Sequence, residues 1–497
     1  MSGDGTTPAT APRHTVLLVA VALAFAALQL VSGAGRLPLG WDESVYASQV
    51  SPHAPAAYFS APRARGITWL AAPVAALTSS TAAVRMWMTL LACAGLVVAF
   101  RPWLRLLRPA VVVTAAALFA GLWVAQFYGA AVMPNLYVAF GALSATAWFL
   151  RAARGEGVRA CGATAVSTAF TALVRPPDAA YLAVALLLGA VAVRAWRHRG
   201  AVAAVVAGLV VGCAPWTIEA AVRHAGFFAG LHTASDVQGG MGWHPDALLM
   251  QLHALNGPLL CRPCHIPWKH AELSLWWLAL PVLVVAGLGA ARRSGRLLTH
   301  LLPVLCAGAL ACPYLFLLDY SAPRFLLPSY ALLALPVAEG AHAAATAVRG
   351  PWRAVATAAV TLCLAAHFAS QYLVLERRVE DVAASRAANL RLVEQLHRIG
   401  IRPPCAITGE EAPMIAYAAR CASPAVSGNN TSTTVPELLE RARTVPLAVL
   451  ARRPSPPHYA RGWRRLEFSL SDERWYVFVP PRVVVPDGGA WAGGGSG

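Results

Sequence analysis

Charged side chains are scarce in this sequence. They make up 13% of its 497 residues, whereas soluble globular proteins carry about 25%. Hydrophobic residues make up 57% and the mean hydropathy is +0.54, so a soluble globular protein is excluded. The apolar runs are long and continuous rather than alternating, which excludes a membrane β-barrel and predicts an all-α polytopic membrane protein.

Lysine is almost absent, and acidic residues are few. Lys269 is the single lysine, so arginine supplies nearly all of the positive charge behind the formal net charge of +17. A strongly basic chain suggests nucleic-acid binding at first. The arginines, however, form short clusters between apolar runs, as they do in the cytoplasmic loops of membrane proteins. We therefore expect membrane lipids as partners and no nucleic acid.

A clear signal-peptide cleavage site is also lacking after the first apolar run, so we interpret this run as a retained membrane span. With about 20 residues needed for each span, the sequence predicts about eleven spans. They cover residues 16–31, 84–100, 110–127, 136–150, 161–174, 179–193, 201–222, 273–291, 298–318, 325–342 and 354–373. Basic clusters follow every second span, which predicts a multi-pass cell-membrane protein with its N-terminus and these clusters in the cytoplasm.

This topology places several connecting segments and the C-terminal part outside the cytoplasm. The outer segments are 32–83, 128–134, 175–178, 223–272, 319–324 and everything after about residue 376. Residues 66–77 are too short to span and suit a helix in the outer interface, where it would roof a cavity over the acidic pair described below.

The chain divides into four predicted regions. These are a cytoplasmic tail (1–15), a transmembrane catalytic domain (16–375) with outer loops 32–83 and 223–272, an extracytoplasmic α/β domain (376–485) and a disordered glycine-rich tail (486–497). The α/β domain is predicted because an amphipathic helical pattern at 376–401 precedes alternating short apolar runs and helical pieces. Within it, Thr434 and Glu437 form a capping-box signature, and Cys405 and Cys421 can pair in an oxidising space.

Two adjacent acids, Asp42 and Glu43, follow the first predicted span on the outer side. Charges close to a membrane are candidates for function, although solvated loop charges are the alternative interpretation. Further polar residues stand at the outer ends of other spans. They are Arg175, Asp178, Tyr320 and Arg324, and the alternative for the two arginines is that they reach the interface from a helix end.

This set of residues suits the transfer of a sugar from a lipid phosphate. A carboxylate can take a proton from an acceptor hydroxyl as the hydroxyl attacks a sugar carbon. Arginine matches phosphate oxygens and stabilises a phosphate as it leaves. No nucleotide is expected on the outer face, so the lack of a glycine-rich phosphate loop does not count against this chemistry.

Short motifs resemble a known superfamily. Trp41-Asp42-Glu43 with Tyr46 resembles the Asp-Glu motif of GT-C-fold glycosyltransferases, in the group of protein O-mannosyltransferases and lipid A aminoarabinose transferases (glycosyltransferase family 39-like). Residues 214–216 and 320–328 are similar to the same superfamily, and residues 409–417 are similar to the C-terminal part of its bacterial members.

The resemblance implies a GT-C-like fold and inverting transfer from a polyprenyl-phosphate-linked sugar to an extracytoplasmic glycan, lipid or protein acceptor. It implies Asp42 as general base, with Glu43 orienting the acceptor or, as in some relatives, helping a divalent metal. The substrate-binding residues expected on this basis and from the outer segments are Tyr46, Arg63, Arg65, Arg175, Asp178, Tyr320 and Arg324. The segment 62–66 departs from the pattern of many relatives, which leaves the donor sugar, a hexose or a pentose, open.

A second motif, Cys261-Arg262-Pro263-Cys264-His265, leaves three alternatives open. The two thiols can form a small disulfide in an oxidising space, attach a c-type haem with His253 or His270 as the distal ligand, or contribute to a zinc site. A haem-bearing membrane protein is therefore one alternative function. A membrane transporter or lipid flippase is another, although such proteins usually show internal repeats and midplane charges.

Overall fold

The computed structural model describes residues 11–224, 226–256, 258–262, 270–347, 349–350, 352–428, 430–470 and 473–481. The predicted disordered tail from residue 486 lies outside these residues. The chain forms two compact units. The helical unit contains the chain up to Arg36, then Ala61–Ala71 and Ala82–Glu380, and the mixed unit contains Leu37–Ser60, Ala72–Thr81 and the chain from Asp381 onward.

Helices dominate the described residues. In chain order they are α1 Ala11–Val31, α2 Trp41–Ser48, α3 Gly66–Ala75, α4 Thr81–Phe100, α5 Pro109–Ala120, α6 Trp123–Gly129, α7 Pro134–Ala153, α8 Gly157–Val174, α9 Pro176–Ala192, α10 Arg199–Arg223, α11 Phe227–Val237, α12 Ala247–Ala254, α13 Trp276–Arg293, α14 Leu297–Cys312, α15 Leu327–Thr346, α16 Trp352–Arg398, α17 Ala412–Ala419 and α18 Val435–Thr444. Each of the eleven predicted spans overlaps a helix, which confirms a polytopic, mostly helical membrane protein.

The number of spans remains a prediction. Within the described residues, eight helices are long and apolar enough to cross a membrane, or nine if α5 and α6 are one span bent by 71°. The bend divides the predicted span 110–127 at Gly121, which caps α5. With 17 residues, α9 is one of the shorter apolar helices.

Two stretches differ from what the sequence pattern predicts. The predicted outer loop 223–272 contains the helices α11 and α12. The apolar helix predicted at 354–373 and the amphipathic helix predicted at 376–401 join without a break in α16, a single helix of 47 residues. Neither glycine nor proline occurs between its ends, so nothing in the backbone chemistry stops it.

The helical unit is packed around α7. Of the 18 most apolar consecutive residues of this helix, 89% are buried. Small residues bring α8 and α10 together, as is common between membrane helices. A methyl group added at Gly208 or Gly212 would collide with the backbone carbonyl of Ala165 or Ala169. The spacing of these helices therefore depends on two glycines.

The mixed unit contains a four-stranded sheet in the order β1-β2-β4-β3. Its strands are β1 Ala406–Gly409, β2 Leu447–Ala451, β3 Arg464–Leu470 and β4 Glu473–Val479. The strands β1 and β2 are parallel, and the other neighbours are antiparallel. One face of the sheet shares a core with α17 and the end of α16, including Leu392, Ile415 and Trp475, so the predicted small α/β fold is confirmed.

Two local predictions in this unit are confirmed. Cys405 and Cys421 form a disulfide, and Thr434 and Glu437 form the capping box that begins α18. The backbone N–H of Thr434 and the hydroxyl of Thr433 donate hydrogen bonds to the carboxylate of Glu437 and lower its pKa, and the hydroxyl of Thr434 accepts from the backbone N–H of Glu437. The hydrogen bonds of the helix cap therefore favour the ionised form of the Glu437 carboxylate at the start of α18.

Replacing Cys421 by serine should destabilise the mixed unit. The disulfide joins residues that are 16 positions apart in sequence. Closing a loop of this size stabilises the folded protein by about 3 kcal/mol, because it restricts the unfolded chain. Thermal unfolding of the purified protein would measure the loss. The matched control is Cys363→Ser, which removes an exposed free thiol and should leave the unfolding temperature unchanged. Equal unfolding temperatures for both variants would contradict this prediction.

Candidate active site

The acidic pair lies in the first turn of α2, within the mixed unit. Glu43 is 4% exposed, and its Oε2 accepts a hydrogen bond of 2.8 Å from the backbone N–H of Gly40. The same oxygen is 3.5 Å from Nη1 of Arg386, and Arg386 also donates to the carbonyl of Pro38. Glu43 therefore fixes the start of α2 and connects it to α16.

Gly40 leaves room for the side chains of Arg386 and Glu43, which approach its backbone closely. An added Cβ would lie 2.5 Å from Nη2 of Arg386 and 3.2 Å from Oε2 of Glu43. Asp42, by contrast, is half-buried in the same turn. Tyr46 follows one turn later, is 6% exposed and packs edge-on against Phe59 at 5.9 Å.

Arg386→Met should destabilise the protein strongly, because it leaves the carboxylate of Glu43 buried without its guanidinium partner. Both side chains are largely buried, at 12% and 6% exposure, and breaking a buried ion pair typically costs about 3–5 kcal/mol. Thermal unfolding would show this as a lower midpoint.

The control for this variant is Arg443→Met. Arg443 also pairs with a glutamate of the mixed unit, Glu440, but both side chains of this pair are about 70% exposed. Such surface pairs contribute little to stability. The interpretation of the Glu43–Arg386 pair would be wrong if the two variants unfolded at the same temperature.

A second cluster lies in the helical unit, where Arg175 connects α8 to α9. Its Nε is 3.2 Å from Oδ2 of Asp178, which is 1% exposed in the first turn of α9. The hydroxyl of Tyr314 donates to the other oxygen of Asp178. Pro176 begins α9 at N1, where proline costs no hydrogen bond. The ion pair with Asp178 thus holds the guanidinium group of Arg175 in place.

Arg324 belongs to the same cluster. It lies in the short 3₁₀ segment before α15, and its guanidinium carbon is 5.3 Å from the ring centre of Phe325. The guanidinium carbon of Arg175 is 5.5 Å from the same ring centre. Phe325 also stacks on Tyr314 with a centroid distance of 4.7 Å. The guanidinium carbons of Arg175 and Arg324 thus both lie within 5.5 Å of the centre of one aromatic ring, and Asp178 is the carboxylate that pairs with Arg175.

The segment after α12 supports this cluster. Cys261 and Ser321 exchange two backbone hydrogen bonds of 2.8 and 2.9 Å, and the hydroxyl of Ser321 donates to Gln251. Nη1 of Arg324 lies 3.3 Å from the carbonyl of Leu259. Arg262 places its guanidinium carbon 4.8 Å above the ring of Tyr320.

Arg262 and Phe325 are not among the site residues predicted from the sequence, although both lie in motifs that resemble functional ones, at 261–265 and 320–328. Tyr128 is a third residue of this cluster that the sequence did not predict. Its hydroxyl is 3.5 Å from Nη1 of Arg324. It begins the predicted outer segment 128–134, and this position could have identified it.

Cys261 is disulfide-bonded, so its sulfur is not available for a haem thioether or a zinc ligand. Cys264 and His265 lie outside the described residues. The disulfide alternative therefore accounts for Cys261.

The other predicted arginines lie before α3 in the helical unit. Arg65 forms two hydrogen bonds with Glu219 of α10, from Nε at 3.0 Å and from Nη2 at 2.5 Å. Trp216, one turn earlier in α10, donates to the carbonyl of Ala61 at 2.9 Å. Arg63 is half-buried in the same segment. Arg65 thus anchors this segment to the end of α10, and its predicted role in substrate binding is untested.

The surroundings of Glu43 do not fit a divalent metal. Its carboxylate faces a guanidinium group and accepts a backbone N–H, and a cation there would be repelled. Across the part of the chain that the structure describes, no group of three or more His, Cys, Asp or Glu side chains could hold a metal ion. The chemistry below uses no metal.

Comparison with solved structures identifies the architecture. ArnT from Cupriavidus metallidurans bound to undecaprenyl phosphate is 15% identical, with a TM-score of 0.63, and the match covers 93% of this chain and 97% of that one. The oligosaccharyltransferase of Archaeoglobus fulgidus tethered to an acceptor peptide is 14% identical, with a TM-score of 0.57, covering 88% and 69%. The chain has a GT-C-like fold.

A third structure gives the same result. The archaeal oligosaccharyltransferase AglB from Archaeoglobus fulgidus, in complex with an inhibitory peptide and a dolichol-phosphate, is 12% identical with a TM-score of 0.52 and covers 93% of this chain and 74% of that one. Neither a protein-family model nor a curated protein sequence matches the chain. Because the identities are low, these likenesses establish the GT-C-like fold of this multi-pass membrane protein, and function has to be argued from its residues.

Proposed function

We propose that the protein is an integral membrane glycosyltransferase. It transfers a sugar from a polyprenyl-phosphate donor to an extracytoplasmic acceptor, with inversion at the sugar carbon. The observation that carries this proposal is the arginine pair at Phe325, because two guanidinium groups on one rigid aromatic support suit a lipid-linked phosphate. The GT-C-like fold supports it, since ArnT and AglB have been solved with undecaprenyl phosphate and dolichol-phosphate.

In the proposed reaction, Asp42 is the general base. As its carboxylate takes the proton of an acceptor hydroxyl, the hydroxyl oxygen bonds to the anomeric carbon of the sugar. The bond between that carbon and the phosphate oxygen breaks on the opposite side, which inverts the configuration. Arg175 and Arg324 stabilise the negative charge that grows on the departing phosphate.

The division of roles between the acids follows from their contacts. Glu43 is held by Gly40 and Arg386, so it positions the turn from which Asp42 acts. Asp178 positions Arg175 in the same way. Tyr46 packs against Phe59 and Tyr320 packs against Phe325. We therefore propose that these tyrosines shape the walls of the site and do not take part in the chemistry.

The mixed unit is proposed to lie on the extracytoplasmic side. Its disulfide Cys405–Cys421 and the disulfide-bonded Cys261 of the helical unit suit an oxidising compartment. The basic clusters after every second predicted span support the same orientation.

Asp42→Asn should abolish transfer without weakening donor binding. The amide keeps the shape of the side chain but cannot accept the proton, and loss of general base catalysis costs roughly 10²–10⁴-fold in rate. The measurement is transfer from a radiolabelled polyprenyl-phosphate sugar by purified protein to an extract of cell-envelope acceptors. Asp246→Asn, at an exposed aspartate, is the control and should keep full activity. Undiminished transfer by Asp42→Asn would eliminate this mechanism.

Arg324→Gln and Arg175→Gln should each weaken donor binding. A charge-assisted hydrogen bond contributes about 1.5–3 kcal/mol, which corresponds to roughly ten- to hundredfold in affinity. Binding of radiolabelled polyprenyl phosphate to the purified protein would measure this. Arg105→Gln, at an arginine that is 73% exposed, should bind like the unmodified protein. If all three variants bound equally, the arginine pair would have no role in phosphate binding.

A further inference from the structure

A cavity of about 250 Å³ lies wholly within the mixed unit. Its wall comes from α2 and the segments on either side of it, from residues 79–81, from the end of α16 and from α17. The volume is below the roughly 300–1,000 Å³ of sites for drug-sized ligands. The cavity therefore has room for a single small ring rather than for a peptide or a lipid chain.

Three polar side chains in this wall carry unsatisfied atoms. Ser44 and Asn389 are 1% and 3% exposed, and His53 is half-buried. Within the described part of the chain, Oγ of Ser44, Nε2 of His53 and Oδ1 of Asn389 have no hydrogen-bond partner. Leaving a buried polar atom unsatisfied costs about 1–3 kcal/mol, so a ligand that supplied hydrogen-bond partners to these three atoms would be stabilised in the cavity.

The orientation of Asn389 is set from outside the cavity. Its Nδ2 donates a hydrogen bond of 2.6 Å to Oε2 of Glu411. This bond fixes the amide plane and leaves Oδ1 as an acceptor for something else. A hydroxyl, an imidazole nitrogen and an amide oxygen together supply both donor and acceptor capacity, and none of them carries a formal charge.

Two arginines and several apolar side chains complete the lining. Arg386 pairs with Glu43, so its charge is compensated, and Arg420 is exposed, so water screens its charge. Leu390, Met414 and Tyr417 contribute apolar contact area. An uncharged ring that has several hydroxyls and an apolar face matches this combination, because each hydroxyl can both donate and accept.

We propose that this cavity is a subsite for one sugar ring, and that it receives the terminal sugar of a glycan acceptor. The assignment to the acceptor rests on the proposed function, because the short helix α2 carries both Asp42 and the cavity residue Ser44. The binding of a sugar ring does not rest on it, since it follows from the size and polar lining of the cavity.

The test is direct binding of sugars to the full-length protein in lipid nanodiscs prepared without glycoside detergents. The probes are the methyl α-pyranosides of glucose, mannose and galactose, together with N-acetylglucosamine, and the readout is saturation-transfer NMR titration. At least one probe should bind at millimolar concentration. Ser44→Ala, which removes one hydroxyl, should weaken this binding by roughly tenfold. Ala54→Leu, which narrows the cavity at a buried lining residue, should abolish it.

Ser274→Ala is the matched control. Ser274 is also fully buried, and its Oγ likewise has no partner within the described residues, but it does not line the cavity. This variant should bind the sugar like the unmodified protein. Ser44→Ala should unfold at no lower temperature, because it removes an unsatisfied buried hydroxyl, so weaker binding would not be a folding defect.

The proposal is overturned if the unmodified protein binds none of the four probes, or if Ser44→Ala and Ala54→Leu both leave binding unchanged. A further arm adds a glucosyl diacylglycerol to the nanodisc. Competition with the free glycoside would assign the subsite to a lipid-borne sugar, and its absence would assign it to a soluble glycan. Sugar binding without transferase activity would refute the proposed function while leaving the subsite intact.

Discussion

The buried ion pair between Glu43 and Arg386 is the constraint on which the arrangement of the acidic turn depends. It brings the start of α2 against α16, although the two residues are separated by more than three hundred positions in the sequence. A buried carboxylate is tolerated only with a partner, and here both the guanidinium and the N–H of Gly40 serve. Because Glu43 has this structural role, we propose Asp42 as the member of the acidic pair that carries the chemistry.

The arginine cluster of the helical unit follows the same logic. Asp178 and Tyr314 fix Arg175, and the Cys261–Ser321 bridge supports the segment that carries Arg324. In each unit a buried carboxylate orients a neighbouring group that we propose to act on the substrate. Charges fixed in this way would stabilise a developing phosphate charge better than flexible side chains would.

Much of the fold could be predicted from the sequence, because apolar length and arginine clusters report directly on membrane spans. The disulfide Cys405–Cys421 and the capping box at Thr434 could also be predicted, because each joins residues that are close in sequence. The pairing of Glu43 with Arg386, and of Arg65 with Glu219, could not be predicted, because long-range partners leave no local pattern. The continuity of α16 could not be predicted, because its composition changes from apolar to amphipathic part-way along, as at a domain boundary, although no residue there interrupts a helix. The site residues themselves remain predictions, and the structure adds the groups that position them.

The bonded state of Cys261 has a practical consequence for production of the protein. Its sulfur lies next to the backbone bridge to Ser321, three residues before Arg324. A host strain that cannot oxidise these thiols would still insert the apolar helices, since insertion depends mainly on hydrophobicity. Material from such a strain would pass a test of yield and helix content without the disulfide of Cys261, so preparations should be compared for disulfide content before they are compared for activity.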